Sequence, residues 1–384
     1  MISVDKPFLP LNKPLNKKYH LKAVLAHLNN PQTAIKTINV VGTNGKGSVT
    51  RFLALGLAQK YAKVGVFSSP AFFYQNERIA INQTLISDQD LQQYLARVQP
   101  WIEQYGLTFF EIWTLIAILY FADQKVDLAV IEAGIGGVKD VTYLFSNQIA
   151  TLLTMVGFDH QEVLGFDIAA ILTNKVLMAK PNTKLYLSRD NAKYLGTINT
   201  ILKEQQVEVV LGEVIDDEVF YQQANKGLVK TFLHQEFQIN DFDFLKAPSL
   251  PGRFQVLQSE PLLIVDGAHN PDGIEALVQS FKKKYPTKNP VVVVGCSAHK
   301  DYQTNLKILK EHFSKLYVTT FDHFQSWKLD QVVIGQKVAN WQTFLQTKLA
   351  NNQDVLVCGS LYFVPLVEQW YAKIKLSKEK PDNY

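Results

Sequence analysis

Cysteine is nearly absent from this sequence: 384 residues contain two, Cys296 and Cys358. Two cysteines far apart build neither a disulfide framework nor a zinc cluster. Each ends an apolar run, VVVVGCS and DVLVCGS, so both are expected as reduced core residues. Long hydrophobic runs are missing too. No apolar stretch approaches the roughly 18 residues that span a bilayer, and the N-terminal MISVDKPFLPLNKPLNKKYH has no continuous apolar region of the signal-peptide kind. A soluble cytoplasmic protein with no membrane partner is expected. There is no block of like charge either, because the net +4 is spread along the chain. That removes the basic footprint of a nucleic-acid binder and leaves small anions as candidate ligands.

What is present is an alternation. Short Val- and Ile-rich runs (TINVVG, KVGVFSS, VDLAVIEAG, IATLLTM) are separated by longer amphipathic stretches (SVTRFLALGLAQKY, FFEIWTLIAILYFADQ). Strand followed by helix, repeated, implies an α/β fold with a parallel sheet covered on both faces. After ILTNKVLMAKPNTKLYLS the pattern turns polar and reads as a helix and a hairpin or two. The segment LKAPSLPGRF, with three prolines and a glycine in ten residues, marks a domain boundary. A second alternation follows, from PLLIVDGAHN to DVLVCGSLYF. The expected architecture is an N-terminal domain, residues 1–247, with a P-loop-type parallel sheet of the ATPase kind, and a smaller Rossmann-like α/β domain, residues 248–384.

The run VVGTNGKGSVTRFLALGLAQ opens as a strand, turns through glycines and continues as a helix. Its Thr43, Asn44, Gly45, Lys46, Gly47 and Ser48 place backbone N–H groups and a helix N-terminus against an anion. Lys46 adds a point charge and Ser48 a hydroxyl near a metal. The spelling is unusual, because Gly47 separates Lys46 from Ser48 where GxxxxGK[ST] has them adjacent. Further groups fall on the same strand-end edge: Glu132 in VIEAGIGG, Ser69 in SSPAFFYQNERI and His160 in FDHQEVLG, with Lys175 on the helix after it. Singly, a solvated Glu, a packing His and a surface Lys are the plainer readings. Together, beside a phosphate loop, they form a candidate nucleotide and metal site. In the second domain Asp266, His269 and Asn270 of DGAHNPDG either cap a helix or meet a nucleotide, and Arg253 of PGRF carries a guanidinium suited to phosphate.

These motifs, in this order, resemble the Mur-ligase superfamily and within it the folylpolyglutamate synthase / dihydrofolate synthase family. GTNGKGS is that family's form of the loop; SP with NERI, VIEAGIGG, DHQEVLG, PGRF, VDGAHNPDG, HKDY and CGSLY follow in the family's order. The resemblance implies an ATP- and Mg2+-dependent amide ligase acting on folate and L-glutamate, and a monomer. It implies that Lys46 and the loop hold the ATP phosphates, that Ser48 or Ser69, Glu132 and His160 serve magnesium, and that Lys175 is carbamylated. Arg253, Asp266 and His269 match residues by which the second domain contacts ATP.

The pattern departs from the family at Asn174, where an acidic residue or His is usual, at Tyr143 and at His299. YQQAN, Tyr221–Asn225, spells only part of a motif that opens a nucleotide-facing helix, and VFYQQANKGLVKTFLHQEF reads equally as a hairpin turning at NKG. On the hairpin reading that helix is missing, and the chain becomes a shortened paralogue that binds nucleotide or pterin without ligase activity. With the helix, it is a working ligase.

Overall fold

The structure is a computed structural model that describes residues 1–4 and 20–379. Residues 5–19, most of the N-terminal stretch considered above, lie outside the described residues. The chain divides into two compact units. One comprises Met1–Asp216 with Gln222–Ala247, the other Asp217–Tyr221 with Pro248–Tyr384.

In the first unit the strands are β1 (Thr37–Val41), β2 (Val64–Phe67), β3 (Ile79–Ile81), β4 (Thr84–Leu85), β5 (Leu128–Glu132), β6 (Gln148–Leu153), β7 (Lys184–Leu187) and β8 (Glu208–Leu211). They form one sheet in the order β4-β3-β2-β5-β1-β6-β7-β8. From β2 to β8 every pairing is parallel; only the β3 and β4 edge is antiparallel. The helices are α1 (Leu21–His27), α2 (Lys46–Leu57), α3 (Asp88–Tyr105), α4 (Phe109–Gln124), α5 (Gln161–Leu164), α6 (Ile168–Val176), α7 (Leu195–Leu202) and α8 (Phe220–Phe237), whose first two residues, Phe220 and Tyr221, belong to the second unit. Every residue of β1 and β5 is buried, as a strand covered on both faces requires. On one face Ile38 and Val40 pack with Phe52 and Leu57 of α2 and Phe232 of α8. On the other, Phe67 and Ile131 meet α4, and Val41 and Leu153 meet α6.

The second unit holds β9 (Gln255–Ser259), β10 (Leu262–Val265), α9 (Pro271–Lys284), β11 (Val291–Val294), α10 (Tyr302–His312), β12 (Lys315–Thr319), β13 (Gln336–Val338), α11 (Trp341–Ala350), β14 (Val355–Cys358) and α12 (Phe363–Glu379). Its sheet runs β13-β12-β11-β14-β10-β9, parallel except for β9. Both cysteines are buried and free. Among the described residues no helix is long and apolar enough to cross a membrane.

One sequence expectation is corrected and one open alternative is closed. The polar stretch after Lys184 forms no hairpin: β7 and β8 pair in parallel, joined through α7. And VFYQQANKGLVKTFLHQEF does not turn at NKG, because Phe220–Phe237 is one continuous helix. Its buried Leu228, Val229, Phe232 and Leu233 recur at helical spacing. Burying such side chains stabilises by about 1.5–3 kcal/mol each, which outweighs the roughly 1 kcal/mol that Gly227 costs inside a helix. Gly227 is needed for a different reason: a Cβ there would run into the backbone carbonyl of Glu213.

Candidate active site

In the first unit the site is built on the loop between β1 and α2. Gly45 precedes α2 with a left-handed φ of 94°, and a Cβ there would collide with the Asn225 side chain. Glycine is required on both counts. Val49 N makes the first helical bond, to Gly45 O, so the N–H groups of Lys46, Gly47 and Ser48 lie in the first turn, where a helix presents its unsatisfied donors. Thr43 and Asn44 are engaged differently. Their N–H groups both donate to Met155 O, at 2.8 and 3.3 Å, and the Thr43 hydroxyl bonds Gly157 O at 3.0 Å. These two residues shape the loop through the strand β6 side rather than offering their backbone donors to an anion.

Lys46 and Lys175 converge on this loop. Lys46 Nζ donates to Gly42 O and Thr43 O at 3.3 and 3.1 Å, and Lys175 Nζ donates to the same Gly42 O at 2.8 Å. Lys175 is buried, and desolvation lowers its pKa from 10.5 to about 7; the Lys46 charge pushes the same way, while Asp159 and Asp140 oppose it. A substantial fraction of this amine is therefore neutral, hence nucleophilic, near neutral pH. The helix that carries it is pressed against the loop after β5: Val138 N donates to Asn174 O at 3.0 Å, and a Cβ on Gly137 would strike Asn174 O and the Lys175 backbone. Asn174, the departure noted above, is buried with its Oδ1 lacking a hydrogen-bond partner.

Glu132, at the end of β5, is buried, and its Oε2 accepts from Ser69 N at 3.4 Å. The strand-end carboxylate and the SP loop are thus adjacent, as their shared edge predicted. His160 is half-exposed, with Asp159 at 3.9 Å and Glu162 at 3.6 Å from its ring nitrogens. Its backbone has a left-handed φ of 50°, and its N–H donates to the Asp159 side chain at 2.9 Å.

The helix whose absence the hairpin reading implied is present and faces the loop. Gln222 Nε2 donates to Ser48 Oγ at 3.2 Å, Asn225 Nδ2 donates to Gln222 Oε1 at 3.3 Å, and all three side chains are buried. The ground for a shortened, non-catalytic paralogue is removed. Gln222, Asn225, Asp140 and Asp159 are site residues that the sequence reading did not assign. The Q-x-x-N spacing, one turn of helix, was the available signal for the first pair. Asp140 gave none: its carboxylate accepts Ile135 N at 2.8 Å and Thr142 N at 2.9 Å and so fixes the glycine-rich loop after Glu132.

In the second unit Asp266 and Asn270 are buried. Asn270 caps α9 by accepting Gly273 N at 2.8 Å, which is the capping alternative left open above. Asp266 Oδ1 accepts Ala268 N, and Oδ2 accepts both Phe254 N and Tyr221 OH, each at 2.8 Å. His269 Nδ1 is 2.8 Å from Gly267 O. Arg253 Nη1 lies 3.3 Å from where a Gly267 Cβ would be, so glycine there leaves room for the guanidinium.

Among the described residues no group of three or more His, Cys, Asp or Glu side chains could hold a metal by itself. The donors at the first-unit edge are a buried carboxylate and hydroxyls, with His160 as the one imidazole. Such a set fits magnesium, which binds through one or two carboxylates and completes its shell with phosphate oxygens and water.

Comparison with known proteins agrees with this geometry. Residues 252–361 match the family described as Mur ligase, glutamate ligase domain. The chain is 31% identical over 401 residues to folylpolyglutamate synthase of Lacticaseibacillus casei, covering 90% of this chain and 92% of that one. It is 27% identical over 399 residues to dihydrofolate synthase/folylpolyglutamate synthase of Bacillus subtilis, with the same coverage. A solved bifunctional folylpolyglutamate synthase/dihydrofolate synthase with Mn, AMPPNP and L-glutamate bound superposes with a TM-score of 0.80 at 26% identity, over 92% of this chain and 95% of that one. An FPGS–AMPPCP–folate complex gives 0.78 at 27% identity, over 94% and 96%. A two-domain α/β chain with this loop, this ordered set of motifs and these relatives belongs to the folylpolyglutamate synthase / dihydrofolate synthase family.

Proposed function

We propose that this protein is an ATP-dependent amide ligase that adds L-glutamate to the glutamyl carboxylate of reduced folates through an acyl phosphate, with dihydropteroate as a second acceptor to be tested. The observation that carries the reading is the convergence of the Lys46 and Lys175 amines on Gly42 O beside a Ser48 hydroxyl held by Gln222. That is a hydrogen-bonded cradle at a helix N-terminus, with Lys46 supplying the positive charge, and it suits a transferring phosphoryl group.

The Lys46 amine, the N–H of Gly45 and the first-turn N–H groups of Lys46, Gly47 and Ser48 are assigned to the ATP phosphates, with Thr43 and Asn44 holding the loop in shape. Ser48 or Ser69, Glu132 and His160 are the residues that would hold magnesium, which when bound spreads the charge that develops on the phosphoryl oxygens. The neutral amine of Lys175 can add to carbon dioxide: the N–C bond forms, the amine loses a proton to solvent, and the side chain becomes an anionic carbamate. Arg253, Asp266, His269 and Asn270 are assigned to the part residues 248–384 play in nucleotide binding, and residues 1–247 to the ATP-binding domain. A monomer in the cytoplasm completes the reading; light scattering of the purified protein tests the first point.

The deciding experiment incubates the protein with Mg-ATP, L-glutamate and reduced folates or dihydropteroate, and follows products by mass spectrometry. A product heavier by one glutamyl unit, absent with Lys46→Ala, is expected. No product with either acceptor, despite ATP binding, would overturn the reading.

A further inference from the structure

We propose that Tyr221 is a positioning residue: its hydroxyl, donated to Asp266, fixes the carboxylate that holds the Leu250–Phe254 turn and, through that turn, the guanidinium of Arg253. This rests on the assignment of Arg253 to nucleotide binding.

The turn needs holding. Gly252 has a φ of 64° and Phe254 a φ of 44°, and a bulky residue in the left-handed region persists only where its surroundings over-determine it. Several contacts do so, among them the following three. Gly252 O accepts Gly267 N at 2.8 Å, Gly252 N donates to Gln255 Oε1 at 2.9 Å, and Phe254 N donates to Asp266 Oδ2 at 2.8 Å. The last depends on where the carboxylate lies. Of the three donors on Asp266, two are backbone N–H groups of the turn and of the segment just after β10. The third, the Tyr221 hydroxyl, comes from Asp217–Tyr221, a separate stretch of chain in the same unit. It is the only side-chain donor of the three and shares Oδ2 with Phe254 N. Without it Oδ2 keeps one donor, in a site where burial already raises the carboxyl pKa and only Arg253 and the remaining hydrogen bonds oppose that rise. A carboxylate loosened or neutralised there releases the Phe254 amide, and the Arg253 guanidinium over Gly267 is no longer fixed.

Tyr221→Phe in the full chain removes the hydroxyl and keeps the ring. Its KM for ATP is expected to rise roughly tenfold, the scale of one hydrogen bond to a charged group, with kcat within about twofold of the parent. Hydrogen exchange of the Phe254 amide should quicken by a similar factor. Tyr221→His, which keeps an N–H donor, should recover part of both. A parental ATP KM, or a parental Phe254 exchange rate, in Tyr221→Phe overturns the proposal. Arg253→Ala separates the two layers. If it leaves the ATP KM unchanged, the assignment of Arg253 fails, whereas Phe254 exchange in Tyr221→Phe still decides whether the hydroxyl holds the turn.

Discussion

Lys175 Nζ donates to Gly42 O at 2.8 Å from a position so buried that its pKa falls to about 7. In the unfolded chain the same amine titrates near 10.5. A base whose pKa is lowered on folding destabilises the native state wherever the unfolded chain holds a proton that the native state does not. The cost is full below about pH 7 and fades as pH rises towards 10.5. Lys175→Met should therefore be more stable than the parent at pH 6.5, by on the order of 4 kcal/mol, lose much of that advantage by pH 9.5, and be inactive. Urea unfolding of both proteins at the two pH values, in bicarbonate-free buffer, measures this. An equal difference at both would mean that the amine is not desolvated.

Gln222 reaches the phosphate loop through its side-chain amide, at 3.2 Å from Ser48 Oγ. Gln222→Leu keeps the bulk and removes the donor, leaving Ser48 and Asn225 each short of a partner. A hydrogen bond of this kind contributes about 1 kcal/mol net. The expected result is a three- to tenfold weaker affinity for a non-hydrolysable ATP analogue, as read by titration calorimetry, with a melting temperature within a few degrees of the parent. Unchanged affinity would show that α8 merely covers the loop.

Gly137 leaves no room for a methyl group, because its Cβ would strike the backbone of Asn174 and Lys175. Gly137→Ala must either strain the loop after Glu132 or push α6, and Lys175 with it, away from Gly42. Overpacking of this kind costs about 1–3 kcal/mol. A lowered urea midpoint with a disproportionate loss of turnover is expected; full activity would place the Lys175 amine outside the reaction.

Cys296 and Cys358 are both fully buried, and burial raises the Cys296 thiol to about 12. Neither should react with a thiol reagent in the folded protein, whereas both should in urea. A fast-reacting thiol in native buffer would contradict the packing at the ends of β11 and β14.

The parts of this fold that were legible in the sequence are those where local pattern and tertiary demand agree. TINVV followed by GTNGKGS is a buried strand and a loop that needs its glycines, and both read directly. The loop after β5 was legible as a carboxylate followed by flexible backbone. The stretch from Phe220 to Phe237 read equally as helix or hairpin because Asn225-Lys226-Gly227 carries the residues of a turn. Yet Asn225 is there to meet the phosphate loop and Gly227 to clear the Glu213 carbonyl, and those requirements come from distant chain. Asp140 was invisible for the same reason: what makes it matter is the set of amides it accepts. The motif match singled out Asp266 in the sequence but gave no sign of its bond to Tyr221, 45 positions away.

Met155 has a single carbonyl oxygen, and it takes the N–H groups of Thr43 and Asn44 together. Two residues of the phosphate loop are thereby held by the segment just after β6 before any nucleotide arrives. The conformational entropy of ordering them, on the order of 1–2 kcal/mol per residue, is surrendered when the domain folds and not when the ligand binds. A nucleotide meeting this loop has little left to organise there, which leaves more of its contact energy to appear as affinity.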